Sequence, residues 1–328
     1  MSWRKALAAS LVLALCAGLA GCGIKKAEPE LTAESYTVTD AFGTEVTIPA
    51  KPERIAADSE FLDEMLLSVV PPERLAACSI SSKNPAVSFI AEETKGIEKT
   101  IPLMAGLSME DVGAIEPDLI ICSDYSDKKR IELWRSMGLP VVVVKGPRSV
   151  AEAEAGVRLI AAAAGEKERG EKVVAQMEER LARADAKIRA LGRPRPTALL
   201  ITQMTSYGGA GSMYDDLLTR AHIDNAITKM GVSNGSLFSL EAAVESDPDL
   251  FFVTADKEND ETGAQQYRDD FLANPAVAQM RAARHIVPLA DKYLYAASQN
   301  CVYAVEAMAN GAYGPVFDLS EEKNIKGY

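Results

Sequence analysis

Apolar and polar positions follow two rhythms along this chain, and the switch between them sets the expected architecture. Between residues 166 and 191, Val174, Met177, Leu181, Ala184, Ile188 and Leu191 recur at steps of three and four. That period puts them on one stripe of an α-helix whose remaining surface is Glu, Lys, Arg and Asp. Gly165 precedes the run, and Gly192-Arg193-Pro194-Arg195-Pro196 ends it because proline cannot continue the ladder. At about 1.5 Å per residue such a helix is roughly 35–40 Å long, enough to cross a small domain.

On both sides of that helix, short unbroken apolar runs alternate with helical patterns. Strands are expected at 55–57, 75–78, 119–122 and 141–144, with helices at 61–70, 108–115, 128–137 and 149–164. Beyond the long helix, strands are expected at 197–202, 250–253 and 286–289, and helices at 212–221, 239–245 and 299–310. Continuous apolar runs between helices imply parallel strands covered on both faces. Residues 36–49 alternate instead, around Asp40-Ala41-Phe42-Gly43, and predict a β-hairpin on the edge of the first half. Residues 256–263 are polar and charged and predict a solvated loop.

The two halves also share a pattern. Residues 108–120 align without a gap on 239–251, each running serine, apolar, glutamate, a short helix, then Pro-Asp and a strand. The shared order of elements points to duplication. The expected fold is therefore α/β: two lobes with central parallel β-sheets flanked by helices, joined by one long α-helix, with a ligand cleft between the lobes. The lobes are expected at 36–165 and 193–328, with the connecting helix at 166–192.

Composition adds an address. The 328 residues are 48% hydrophobic, enough to bury two sizeable cores. Arg4 and Lys5 precede an apolar stretch over 6–20, followed by Leu19-Ala20-Gly21-Cys22. The stretch is short for a membrane span and reads as an export signal over 1–21. Residues 22–35 form a polar tether. Loss of Arg4 and Lys5 takes the formal charge from −12 to −14, two positive charges fewer. An acidic exported protein is a poor partner for nucleic acid. Besides Cys22, Cys78, Cys122 and Cys301 remain, an odd set that reads as small buried hydrophobes.

Enzyme signals are weak. Gly208-Gly209-Ala210-Gly211-Ser212 lacks the third glycine of a dinucleotide loop and the Lys-Ser/Thr of a phosphate loop. It is expected instead to be a turn whose amides face the cleft. His222 and His285 are the only histidines and lie far apart in sequence. No catalytic residue, metal site or cofactor is expected.

Ser108 and Ser239 are placed as N-caps, with Asp111 completing a capping box, so Glu110 and Glu241 fall in first helical turns. A carboxylate there complements the helix dipole, and one per lobe is also placed to pair with arginines on a partner. Lipobox-like Cys22, the hairpin, Pro52-Glu53-Arg54-Ile55, the doubled Ser-apolar-Glu…Pro-Asp element and the connecting helix together resemble the periplasmic-binding-protein class. That class serves ABC importers of iron–siderophores, haem and cobalamin, and the likeness runs from about residue 36 to 318. The resemblance implies diacylglycerol on Cys22, Glu110 and Glu241 docking onto a transmembrane permease, and an extracytoplasmic, lipid-anchored monomer. It implies capture of a metal chelate, iron–siderophore first, cobamide or haem next. A chelatase-like tetrapyrrole enzyme on a related two-lobe fold, a bare-metal receptor and a structural lipoprotein are the competing readings.

In open α/β sheets ligands bind beyond the carboxyl ends of the strands. The loops that qualify supply Ser59, Phe61, Lys83, Tyr125 and Arg148 from the first lobe, and Tyr207, Tyr214, Tyr293 and Tyr295 from the second. Tyrosines offer area plus a hydroxyl to a flat or bulky chelate, and Lys83 and Arg148 offer charge.

Overall fold

The computed structural model describes residues 34–102, 106–255, 263–320 and 322–328. The export signal, Cys22, all but the last two residues of the tether, and residues 256–262 of the acidic loop lie outside the described residues.

The hairpin comes first along the chain. Strands β1 (Tyr36–Thr39) and β2 (Glu45–Ile48) pair antiparallel around a turn in which the Asp40 carboxylate accepts the Phe42 and Thr44 amides, both at 2.9 Å. Then come β3 (Ile55–Ala57), α1 (Glu60–Leu67), β4 (Leu75–Ser79), β5 (Thr100–Ile101), α2 (Met109–Ile115), β6 (Leu119–Ser123), α3 (Lys128–Ser136), β7 (Val141–Val144) and α4 (Val150–Ala163). Strands β3 to β7 make one parallel sheet in the order β5-β4-β3-β6-β7. The hairpin docks on its β7 edge, where the Ala41 amide donates to the Val143 carbonyl at 2.8 Å.

Helix α5 (Lys167–Ala190) leads to the second half: β8 (Thr197–Ile201), α6 (Met213–Arg220), β9 (Asp224–Asn225), α7 (Leu240–Glu245), β10 (Leu250–Thr254), α8 (Ala264–Ala273), β11 (Ile286–Leu289) and α9 (Cys301–Tyr313). Its parallel sheet has the order β9-β8-β10-β11. That order reproduces β4-β3-β6-β7 strand for strand. The Pro-Asp element explains part of the match. Asp118, ahead of β6, accepts the Glu53 and Arg54 amides at 2.7 and 3.0 Å as the chain enters β3. Asp249, ahead of β10, accepts the Thr197 amide at 2.8 Å at the start of β8. In both copies a carboxylate fixes the neighbouring strand's entry, which is a reason for aspartate at that place.

The central strands of each parallel sheet are buried on both faces. Ile55, Ala57, Leu119, Ile121, Val142 and Val144 point to one apolar cluster, and Ala56, Ile120, Cys122, Val141 and Val143 to another on the outer face. In the second lobe Ala198, Leu200, Leu250 and Phe252 join that same first cluster, while Leu199, Ile201, Phe251 and Val253 face a third. The inner cluster is thus shared by both lobes, filled by α1, α4, α5, α6 and α9. Each Leu, Ile or Phe so buried contributes about 1.5–3 kcal/mol. On α5 the expected stripe is realised: Val174, Met177, Ala184 and Ile188 are buried, and Leu181 and Leu191 are half-buried. Across it, Arg180 pairs with Glu306 of α9 at 2.7 Å and stacks over the Tyr303 ring. Cys78, Cys122 and Cys301 are buried and unbridged.

A second crossing joins the lobes. Residues 324–328 leave the second lobe and lie along the end of α1. Gln299 and Asn300 donate to the Asn324 amide oxygen at 2.7 and 3.1 Å, the Gly327 amide donates to Ser68 O at 2.9 Å, and the Tyr328 hydroxyl donates to Val70 O at 3.0 Å.

Candidate functional site

Loops at the carboxyl ends of the two sheets approach one another, Tyr125 acting on Tyr207 and Phe89 meeting Tyr293, and they carry the residues singled out from the sequence. At the end of β3, Asp58 is held by the Ser123 amide at 3.3 Å and the Ser126 hydroxyl, and burial raises its pKa. Ser59 is the N-cap of α1, yet its hydroxyl makes no capping bond. Phe61 is half-buried against the shared core. Lys83 is committed to its own loop, its ammonium donating to Thr94 O and Ile97 O at 2.8 and 2.6 Å. The Arg148 side chain is exposed, and its amide donates to Glu152 at 2.8 Å. Tyr125, after β6, is 68% exposed.

On the second lobe the tyrosines form two groups. Tyr207 and Tyr295 lie with ring centroids 5.5 Å apart, and the Tyr295 hydroxyl is 2.8 Å from Thr202 Oγ1. Tyr214 is wholly buried at the start of α6, behind this pair, and its hydroxyl has no partner among the described residues. Tyr293 sits in the helical turn Asp291–Leu294, donates to Glu322 at 2.6 Å, and meets Phe89 of the first lobe edge-on at 5.8 Å. Phe89 also stacks on Tyr303 at 5.4 Å, and the Lys292 amide donates to Ala86 O at 3.1 Å. Aromatic contact thus bridges the lobes at one side of the gap.

Burial raises the pKa of Tyr207, Tyr214, Tyr293 and Tyr295, in the case of Tyr295 to about 12. All four are neutral phenols near neutral pH. They offer apolar area and hydrogen bonds, and neither charge nor a base.

One sequence expectation changes here, and one competing reading loses its base. The amides of Ala210, Gly211 and Ser212 do not face the cleft: they donate to Val232 O at 2.9 Å, Asp215 at 3.3 Å and Gly209 O at 3.1 Å. The loop folds on itself and on its neighbour, because a glycine at 209 lets it approach the Ser233–Asn234 backbone. The histidines, needed by a chelatase-like reading, are elsewhere. The His222 ring is 2.7 Å from Asp185 on α5, and the His285 ring 3.0 Å from Gly311 O. Among the described residues no group of three or more His, Cys, Asp or Glu is placed to hold a metal ion.

A hollow of about 650 Å³ lies at the base of the first lobe, beside Tyr36, Lys51, Glu166 and Arg169. It opens at the amino ends of the strands, and Lys51, Arg74 and Arg169 already converge there on Glu166. The loops at the carboxyl ends of the strands are the better candidate, since parallel strands present their ligand-binding loops at that end.

Glu110 and Glu241 are exposed in the first turns of α2 and α7. The Ser108 hydroxyl accepts the Asp111 amide at 3.0 Å and completes the capping box; the Ser239 hydroxyl accepts the Ala242 amide at 3.3 Å. The Ser239 hydroxyl also lowers the Glu241 pKa. Asp111, and not Glu110, takes the capping work in the first copy, which leaves Glu110 outward.

The family model described as periplasmic binding protein matches residues 55–286. A curated relative, an uncharacterized ABC transporter substrate-binding lipoprotein of Bacillus subtilis, is 21% identical over 77% of this chain and 79% of its own length. Among solved structures, the periplasmic heme-binding protein RhuT from a Roseiflexus species, in apo form, superposes with a TM-score of 0.68 at 22% identity, covering 81% of this chain and 99% of that one. A possible iron-binding, periplasmic solute-binding protein from Staphylococcus epidermidis gives 0.65 at 16% identity, covering 80% and 99%. At these identities the structures establish the shared fold, and the match over residues 55–286 establishes kinship: the chain belongs to the periplasmic binding protein family.

Proposed function

We propose that this protein is the lipid-anchored receptor of an ABC importer that captures a metal chelate between its lobes and hands it to the transmembrane permease. The observation that carries the reading is the cleft itself. Loops at the carboxyl ends of the two sheets come together, with Tyr125 of one close enough to act on Tyr207 of the other and Phe89 against Tyr293, and neither histidine lies among them. Such a lining suits binding and orienting a guest. The relatives agree in kind, one being called a substrate-binding lipoprotein and others heme-binding or possibly iron-binding. Iron–siderophore, haem and cobamide are the candidate cargoes, with Ser59, Phe61, Tyr125, Arg148, Tyr207 and Tyr295 as the residues nearest to them.

Glu110 and Glu241 supply the docking carboxylates, one per lobe. Cys22 supplies the anchor and places the protein on the outer face of a membrane. No helix among the described residues is long and apolar enough to cross one.

Calorimetric titration with a ferric siderophore, iron protoporphyrin IX and cobalamin tests the reading, and absence of heat with all three would reject the chelate class. Tryptophan quenching is a poor substitute. Trp134 on α3 is buried in the outer apolar cluster of the first lobe, on the far side of its sheet from the shared core.

A further inference from the structure

Gly146 lies just past β7, in the loop Lys145-Gly146-Pro147-Arg148. Its backbone does not call for glycine. Its φ is outside the left-handed region, and a residue before proline is held to extended conformations that any L-residue adopts. What excludes a side chain is Tyr125. A Cβ at 146 would stand 2.8 Å from the ring Cζ and 2.9 Å from Oη, and nearer still to Cε2. The far edge of the Tyr125 ring therefore rests on the bare α-carbon of Gly146.

The turn that carries this ring is stapled on both sides. The Asp124 amide donates to Val144 O at 3.0 Å, and its carboxylate accepts the Gly146 amide at 2.8 Å. On the other side the Ser126 amide donates to Ser123 O at 3.1 Å, and its hydroxyl donates to Asp58. Between these staples Tyr125 stays 68% exposed. An exposed aromatic ordinarily pivots and loses that freedom when a guest docks; a seated one loses less. The ring belongs to the first lobe, and its phenol is close enough to Tyr207 of the second to act on it electrostatically across the gap.

We infer that Gly146 is a positioning residue for ligand capture: its bare α-carbon seats the Tyr125 ring as an aromatic platform on the first-lobe wall of the cleft, selecting guests with an extended conjugated face. The inference rests on the chelate-binding reading above and narrows it. Aromatic faces favour offset stacking on other π systems. A planar conjugated metal chelate of the metalloporphyrin kind meets that preference. A ferric tris-hydroxamate, which has no such face, does not.

Calorimetric titration of the purified protein with iron protoporphyrin IX and with a ferric tris-hydroxamate tests the pair. The wild type is expected to prefer the porphyrin. Tyr125→Ala should weaken porphyrin binding about tenfold, the size expected for removing one aromatic anchor, and Tyr125→Phe should restore it. Gly146→Ala should weaken it comparably while the melting temperature holds, because the flexible ring swings off its seat and the backbone stays. Combining Gly146→Ala with Tyr125→Ala should bind no worse than Tyr125→Ala alone. Additive losses, or wild-type binding by Gly146→Ala, would remove the positioning role. Wild-type binding by Tyr125→Ala, or a preference for the hydroxamate, would overturn the platform and leave the chelate receptor standing. A wild type that binds neither probe, while cobalamin or a catecholate siderophore binds, overturns the platform alone; silence towards every chelate overturns both.

Discussion

The side-chain amide of Asn300, in the second lobe, donates at 3.0 Å to the carboxylate of Glu64, buried in the first. The same carboxylate accepts the Ser88 hydroxyl at 2.8 Å, the Phe89 amide at 2.7 Å and the Ser298 hydroxyl. Glu64 is therefore the polar knot of the inter-lobe contact. Asp216 mirrors it from the other side, accepting the Val150 amide at the start of α4 at 2.8 Å.

Replacing Glu64 with alanine strands several buried donors at once. At about 1–3 kcal/mol for each unsatisfied group, partly relieved by relaxation, the loss should be on the order of 3 kcal/mol. Urea denaturation reads it directly. Glu64→Gln keeps one carbonyl acceptor and should lose less. Equal stability of the alanine variant and the wild type would dismiss the knot.

Asp63 gives a pH prediction. It is wholly buried, its Oδ2 accepts the Ser79 amide at 2.6 Å and the Ser82 hydroxyl at 2.7 Å, and its Oδ1 has no partner. Burial pushes its pKa well above the ordinary carboxylate range. The folded state thus holds a proton that the unfolded chain releases near pH 4. As pH rises from about 4 towards the raised folded value, Asp63 makes stability fall. Asp63→Asn, which mimics the protonated acid, should flatten that part of the profile and be at least as stable as the wild type at neutral pH. Urea titrations at several pH values would show it, and parallel profiles for the two proteins would contradict it.

The proposed docking role of Glu110 and Glu241 is tested by separating transport from capture. Both are exposed, and neither belongs to the tyrosine set. Glu110→Ala combined with Glu241→Ala should leave chelate affinity unchanged and abolish uptake in cells or proteoliposomes carrying the permease. Undiminished uptake would end the docking role.

How much of this could be read from the chain follows from particular residues. Strands β3, β6, β7, β8, β10 and β11 were legible because each is an unbroken apolar run between helical patterns. The duplication was legible because Asp118 and Asp249 both fix a neighbouring strand's entry, so Pro-Asp recurs in register. Strands β5 and β9 are two residues each and carry no period to detect. Side-chain commitments were not legible. Lys83 looks like a free cation until Thr94 O and Ile97 O are seen to hold it. Tyr125 and Gly146 are 21 positions apart, and only the β6–β7 pairing brings them together.

The segment over 324–328 bears on how long a guest stays. Tyr328 is clasped by Arg169, whose guanidinium lies 5.0 Å from the ring centroid, and Lys326 pairs with Glu93 at 2.8 Å. At Gly327 a Cβ would meet the Arg169 backbone at 2.7–2.8 Å, so no side chain fits there without lifting the segment. Parting the halves means peeling this clasp away as well as flexing α5, which on the proposed function would slow the guest's escape. Gly327→Ala should quicken dissociation of a bound chelate in stopped-flow measurements while the starting grip is little altered, and an unaltered off-rate would show that the clasp is decorative.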